Sequence, residues 1–274
     1  MIPAIVCVLS GLAFGSFLNV CITRLPLQES VAAPRSHCRD CGRTLTVREN
    51  IPLVSWILLH GRCKDCKIPI SWRYPAVELA TCVLFCMCFF TFGWNWRSAA
   101  WSAFCFLLLG LAVMDGETML LPDRFTVPGL ALGVIVAGVG GAESRSRTGS
   151  AIQAGLSAAG TAAASALAAA GVLLAIGGIY WLVRRRQGMG MGDVKLIAML
   201  AAWLGLPRTA LALFFATVAG AIYGVLLLAS RKKEGNAPGA QPIAIPFGAF
   251  LSIAGLYSVF LGEWMLRWYL HFFS

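Results

Sequence analysis

Residues 98–123 read Ser98-Ala-Ala-Trp-Ser-Ala-Phe-Cys-Phe-Leu-Leu-Leu-Gly-Leu-Ala-Val-Met-Asp115-Gly-Glu-Thr-Met-Leu-Leu-Pro-Asp123. No charge interrupts 98–114, and an aspartate follows at once. A sustained apolar run of this length is the signature of a helix that crosses a bilayer. A carboxylate at the end of such a run is costly to bury, so it marks a place where function is expected.

Outward from this stretch the same pattern recurs. Apolar runs cover roughly 2–22, 76–93, 125–142, 155–183, 194–206, 209–229 and 244–270. With 98–115 they predict about eight transmembrane helices in an all-α polytopic membrane protein, because helices satisfy their own backbone groups in lipid. The run at 194–206 is short, and that at 155–183 is long and Ala-rich. The composition agrees: 58% of the 274 residues are hydrophobic and 12% are charged, where a soluble domain carries about 25% charge. Residues 1–22 have no basic start and a long apolar part, so they are expected to stay as the first span rather than leave as a signal peptide.

The Lys and Arg residues set the expected orientation. Seventeen of the 22 fall in 23–75, 116–124, 184–195 and 230–243, on one side of an eight-span arrangement. That side is the cytoplasmic one, with both termini outside. The net charge of +10 therefore fixes topology and meets anionic lipid headgroups, and no nucleic-acid partner is expected. The loops 143–150 and 231–242 are expected as flexible connections, outside and inside respectively.

The polar segment 23–75 is expected to form a small cytoplasmic domain, between the first span at 1–22 and a membrane domain at 76–274. It holds Cys38-Arg-Asp-Cys41 and Cys63-Lys-Asp-Cys66. Two CxxC pairs at this separation suit four thiolates around one Zn²⁺, a closed structural site. A reducing compartment disfavours disulfides. Gly42 and Gly61 permit tight turns there. His37 and His60 lie nearby as ordinary histidines. The other six cysteines lie in apolar runs and read as small buried hydrophobes.

Of the twelve acidic residues, two stand out. Asp115 ends the third span and Asp193 opens the sixth, in Gly190-Met-Gly192-Asp193. The orientation puts both at the inner membrane boundary. Two adjacent carboxyls cannot both ionise easily, so they share a proton and divide the roles of acid and base. Gly190 and Gly192 leave room for an extended substrate backbone beside Asp193. Helix capping is the competing explanation for both acids. Glu117 and Asp123 are alternative acids, with capping the better role for Asp123 at the start of the next span. Glu78 could pair with Arg73 or join a polar pocket, to which Asn50 is also assigned.

Several ordered motifs resemble the type IV prepilin leader peptidases, bifunctional peptidase/N-methyltransferases of bacterial inner membranes. They are Phe14-Gly-Ser-Phe-Leu-Asn-Val20 with Arg24-Leu-Pro26, the two CxxC pairs, Asn50-Ile-Pro-Leu-Val-Ser-Trp56, Gly61-Arg-Cys63, Tyr74-Pro-Ala-Val-Glu78, Asp115 ahead of Leu-Leu-Pro-Asp123, and Gly190-Met-Gly-Asp193 with Lys195-Leu. The resemblance implies an aspartic endopeptidase with Asp115 and Asp193 as its acids. It implies prepilin or pseudopilin substrates, cleaved at the cytoplasmic membrane face. It also implies methylation of the new N-terminal amine with S-adenosylmethionine, an activity associated with the four-cysteine segment. The family often carries a second Asp where this chain has Glu117. Archaeal-type preflagellin peptidases resemble the chain around the acids but typically lack the cysteines. An ion transporter would place its acids nearer mid-membrane, and a zinc-bearing scaffold would make no use of them.

Overall fold

The computed structural model describes residues 2–145, 150–185, 190–233 and 245–273. Among them eight α-helices form: α1 (Ile2–Arg24), α2 (Val54–Leu58), α3 (Arg73–Phe92), α4 (Trp96–Thr118), α5 (Asp123–Arg145), α6 (Ala151–Arg184), α7 (Met191–Lys233) and α8 (Phe247–Phe273). Seven, all but α2, are long and apolar enough to cross a membrane. The chain divides into two compact units, Met1–Gly110 and Leu111–Ser274.

In the first unit α1 packs along α3. Gly11 and Gly15 allow the backbones to touch: a Cβ at either would lie 2.6 Å from the Cα of Cys82 or 2.7 Å from that of Glu78. Small residues four apart are the usual device for close helix contact in lipid, where no hydrophobic force drives helices together. Between α1 and α3 runs the cysteine segment. Its regular structure is slight: a 3₁₀ turn at Val47–Asn50, α2, and two isolated bridges.

In the second unit α5 packs on α6 and α7, and α7 packs on α8. α6 has 34 residues, about 51 Å of helix, which exceeds a hydrocarbon core of about 30 Å. It buries one narrow face of Ala154, Gly155, Ala162, Ala166, Ala169 and Leu173. Only 17% of its most apolar window is buried, as suits a helix whose remaining surface meets lipid.

The eight expected spans meet seven helices, and the difference arises at Gly205. The runs 194–206 and 209–229 are continuous in α7, broken only where Gly205 takes φ 75°, ψ 166° just before Pro207. The arm 191–204 is about 21 Å long, a short arm against a hydrocarbon core of about 30 Å. It starts beside α5, with Lys195 on Asp123, and reaches Gly129 through Trp203. The second arm starts with Arg208 at Ser258 of α8. It continues past Tyr257 through Phe215 and Phe250 through Tyr223, ending near Ile245 at Gly224. α8 opens beside Asp115, so the second arm returns toward the end from which the first departs. α7 is thus two arms of opposite sense. A left-handed φ at the break is open to glycine without strain, and Pro207 restarts the helix.

The loop expected at 143–150 begins later, since α5 runs to Arg145 and Ser150 caps α6; residues 146–149 lie outside the described residues. Likewise α7 runs to Lys233, and residues 234–242 of the loop expected at 231–242 lie outside the described residues.

Candidate active site and metal centre

Asp115 sits in the last turn of α4 and is 5% exposed. Its Oδ2 accepts the Ala249 N–H at 2.7 Å, and the Gly248 N–H also points at the carboxylate. Both donors belong to the first turn of α8, where helix N–H groups have no partner within the helix. Pro246 precedes them, where its missing N–H costs nothing. Asp115 therefore closes the positive end of a helix that is remote in sequence.

Asp193 is the third residue of α7 and is half-buried. It lies close enough to the Asp115 carboxylate to be acted on electrostatically. The Gly190 N–H donates to its carboxylate, and its own N–H donates to the Gly190 carbonyl at 3.2 Å. The two acids singled out in the sequence are thus brought together. Glu117 and Asp123 are exposed, and Asp123 pairs with Lys195 at 2.6 Å, tying the start of α5 to that of α7.

The glycines differ in what surrounds them. A Cβ at Gly192 would lie 2.9 Å from the Leu121 side chain, whereas at Gly190 the nearest atom is Asp193 Oδ2 at 3.6 Å. Gly190 is exposed, so its open side suits an incoming chain. Gly248 was not singled out in the sequence. A Cβ there would lie 3.0 Å from Asp115 Cγ and 3.0 Å from its Oδ2. Its only sequence signal is Pro246-Phe-Gly248, an ordinary helix start in an apolar context.

The four-cysteine group is built from two copies of one turn. In the first, the Cys38 N–H donates to the Arg43 carbonyl, the Gly42 N–H to the Cys38 carbonyl, and His37 bridges Thr44. In the second, the Cys63 N–H donates to Ile68, the Lys67 N–H to Cys63, and Arg62 bridges Pro69. The residue after each CxxC has positive φ, 69° at Gly42 and 60° at Lys67. Gly61, with φ 63°, leads into the second turn. The sulfurs of Cys38, Cys41, Cys63 and Cys66 all lie within 4.8 Å of one another, with Cys38 and Cys66 at 3.7 Å. A tetrahedral ion with bonds of about 2.3 Å sets its sulfurs about 3.8 Å apart, so this group can hold a metal ion. None of the four is in a disulfide.

The N–H groups of Cys66 and Asp65 hold the Cys63 thiol down to about 7. Cys66 accepts the Ile68 N–H, yet burial and the neighbouring sulfurs push it up to about 12. Four thiolates at this spacing repel one another, and a bound cation removes that repulsion.

Arg43 braces the two turns. It bonds Glu49 at 2.8 Å and Asp65 at 3.0 Å. Arg43, then the N–H and hydroxyl of Thr46, hold the Glu49 carboxyl down to about 2, below its ordinary 4.5. Its stabilising contribution is therefore full above about 4.5 and is lost as pH falls through about 2. Glu49→Gln should lower the thermal midpoint at pH 7, and the deficit should shrink steadily as pH falls from 5 to 3. Unfolding scans of wild type and variant across that range check it; a deficit that does not shrink would contradict the assignment.

A cavity of about 600 Å³ lies in the first unit, and both Glu78 and Asn50 line it. Glu78 accepts the Leu53 N–H at 2.7 Å.

Membrane-length helices, a converging pair of acids and a four-thiol group define the class: a polytopic membrane protein with a two-carboxyl site and a four-cysteine group that can hold a metal ion. Residues 9–92 match the family described as the bacterial Peptidase A24 N-terminal domain, and residues 102–225 match the type IV leader peptidase family. The chain is 35% identical to a prepilin leader peptidase/N-methyltransferase of Aeromonas hydrophila, over 96% of this chain and 92% of the relative. Relatives of the same name from Stutzerimonas stutzeri and Pseudomonas aeruginosa are 36% and 35% identical, over 96% and 97% of this chain and 92% of each relative. No solved structure matches. The chain belongs to the type IV leader peptidase family, and it is a peptidase with an associated N-methyltransferase activity. The match to that family ends at residue 225, before Gly248 and Ala249, which hold Asp115.

Proposed function

We propose that the chain cleaves the leader from type IV prepilins or pseudopilins, with Asp115 and Asp193 as catalytic acids, and then methylates the new N-terminus. The observation that carries this is the convergence of the two carboxyls: one is buried against the first turn of α8, and the other stands beside the exposed Gly190.

One carboxylate takes a proton from a water, whose oxygen bonds to the scissile carbonyl carbon. The other carboxyl gives its proton to the carbonyl oxygen. As the tetrahedral centre collapses, the C–N bond breaks and a proton passes to the leaving nitrogen. The products are a carboxylic acid and a free amine, and the pair is left again with one proton between them. Backbone donors on both acids hold them in place before reaction. Gly190 lets an extended substrate approach Asp193, whereas Gly192 gives its space to the Leu121 side chain.

The positive-inside rule supports a site at the cytoplasmic face of a bacterial inner membrane, with the cysteine segment on that side and both termini outside. The two opposed arms of α7 keep the number of passes even, as this orientation needs. Prepilins carry their junction at that depth, where a basic leader meets an apolar helix. In the second activity, bound S-adenosylmethionine would supply the methyl group, and the freed amine would give up a proton on accepting it.

The four thiols suit Zn²⁺ bound structurally, with no open position for chemistry. Purified protein should carry one equivalent of zinc. Cys63→Ser should lose it and loosen the cysteine segment, because binding supplies that segment's folding energy. Elemental analysis and limited proteolysis check this; less than half an equivalent of zinc in the wild type would refute it. The function itself is tested by incubating purified enzyme with prepilins and labelled S-adenosylmethionine, scoring cleavage and methylation separately. Absence of cleavage across prepilins and pseudopilins would overturn it.

A further inference from the structure

The leader hydrolysis leaves the cavity of the first unit without a role. It is lined by Asn19, Arg24, Asn50, Trp56, Tyr74 and Glu78, and its volume is about 600 Å³. That is within the usual range for a nucleotide-sized ligand.

Three buried polar groups in its wall are incompletely matched by the protein. Asn19 is 3% exposed. Its Nδ2 donates to the Tyr74 carbonyl at 3.0 Å, but its Oδ1 is buried with no hydrogen-bond partner. Such an acceptor costs free energy unless something donates to it. Glu78 is 8% exposed. The Leu53 N–H and the Ser16 hydroxyl meet its carboxylate, and among the described residues no cationic side chain forms an ion pair with it. Arg24 is 7% exposed. Its guanidinium donates to the carbonyls of Ser30, Pro34 and Arg35, all neutral, so among the described residues its charge is met by dipoles alone. Buried charges are ordinarily neutralised by a partner.

These groups are ordered along α1. Glu78 packs at the level of Gly15, Asn19 follows one turn on, and Arg24 lies about 13 Å beyond Gly15 along the axis. The ligand that fits this order has hydroxyls and a cationic centre at one end, a donor in the middle and a carboxylate at the other end. S-adenosylmethionine carries its ribose hydroxyls and sulfonium, its ammonium and its carboxylate in that sequence. We propose that this cavity is the methyl-donor site: Arg24 holds the carboxylate, Asn19 Oδ1 accepts from the ammonium, and Glu78 faces the ribose hydroxyls and sulfonium. Trp56 supplies an aromatic surface in the same wall. Cys38 and Cys63 also line the cavity, so the metal centre shapes one side of it. The placement rests on the methyltransferase activity proposed above.

The test uses the full chain, purified in detergent with its metal. Calorimetric titration with S-adenosylmethionine is run on wild type, Asn19→Leu and Glu78→Gln, and ultraviolet photolabelling with the radiolabelled compound is mapped to peptides. Each variant should weaken binding by at least about tenfold, the worth of one hydrogen bond to a charged group, while leader cleavage and bound zinc stay unchanged. Glu78→Gln should also shrink the preference for S-adenosylmethionine over S-adenosylhomocysteine, which keeps the ammonium and carboxylate but lacks the sulfonium charge. The label should fall on peptides within residues 14–78. Wild-type affinity in both variants, or a label mapping to residues 111–274, would overturn the placement and leave the methyltransferase activity standing. A wild-type enzyme that neither binds the donor nor methylates a pre-cleaved pilin would overturn both. If a variant loses metal or cleavage through misfolding, the photolabel map of the wild type decides.

Discussion

Asp115→Asn and Asp193→Asn are each expected to slow leader cleavage by about 10⁴-fold, the scale of a lost general acid or base. Asparagine keeps the size and shape of the side chain. At position 115 its amide oxygen can still accept the Ala249 N–H, which now bonds Oδ2 at 2.7 Å, so α8 keeps its start. What is lost is the ability to take or give a proton. The same holds at Asp193, where the amide oxygen can accept from Gly190. The loss should therefore appear in kcat, with the protein still inserted, still carrying metal and still methylating a pre-cleaved pilin. Quantitative cleavage in proteoliposomes, with methylation as the internal control, measures it. Wild-type turnover in either variant removes that residue from the mechanism. By contrast, Glu117→Gln should change turnover little, since Glu117 is exposed.

Gly248→Ala is expected to cost about 10²-fold in cleavage, although the residue carries no chemistry. A methyl group there would meet Asp115 Cγ and Oδ2 at 3.0 Å and Leu121 Cδ1 at 2.8 Å. These contacts are tighter than carbon and oxygen tolerate, so the carboxylate or the first turn of α8 must shift. A displacement of about 1 Å in a catalytic group can cost about 10²-fold. Gly190→Ala makes the informative contrast. Its new methyl group would have no neighbour nearer than 3.6 Å among the described residues, so any loss there should show as weaker substrate binding, in KM rather than kcat. Steady-state kinetics on the two variants separate the cases. Equal, small effects from both would mean that the Asp115–α8 contact does not position the acid.

The acids were legible because charge is rare in this chain: an aspartate closing an uninterrupted apolar run stands out on cost alone. The cysteine centre was legible from spacing, since two CxxC pairs have few other physical uses. What escaped was mostly long-range and apolar. Gly248 and Ala249 act through backbone N–H groups, which every residue but proline has, and they lie 134 positions from Asp115 for the bond at Ala249. Nothing local distinguishes them. At Gly205 the sequence Gly-Leu-Pro announces an interruption, but a break between two spans and a reversal inside one element have the same local chemistry. The turn at Lys67 copies that at Gly42 without a glycine, so residue type hid the equivalence that the backbone makes plain. Asn19 and Arg24 lay within motifs already noticed. Only the three-dimensional packing shows that Asn19 keeps an acceptor unmet and that Arg24 turns a buried guanidinium to carbonyls.

The most direct test of convergence is binding of a prepilin-junction peptide whose scissile amide is replaced by a hydroxyethylene group. Its hydroxyl stands where the tetrahedral centre forms, between the two carboxyls, and such mimics bind at least about 10²-fold tighter than the substrate. The expected result is that this gain is present in the wild type and lost in both Asp115→Asn and Asp193→Asn, while the ordinary amide peptide binds all three alike. A gain that survives in either variant would mean that the two acids do not meet on one reacting carbon.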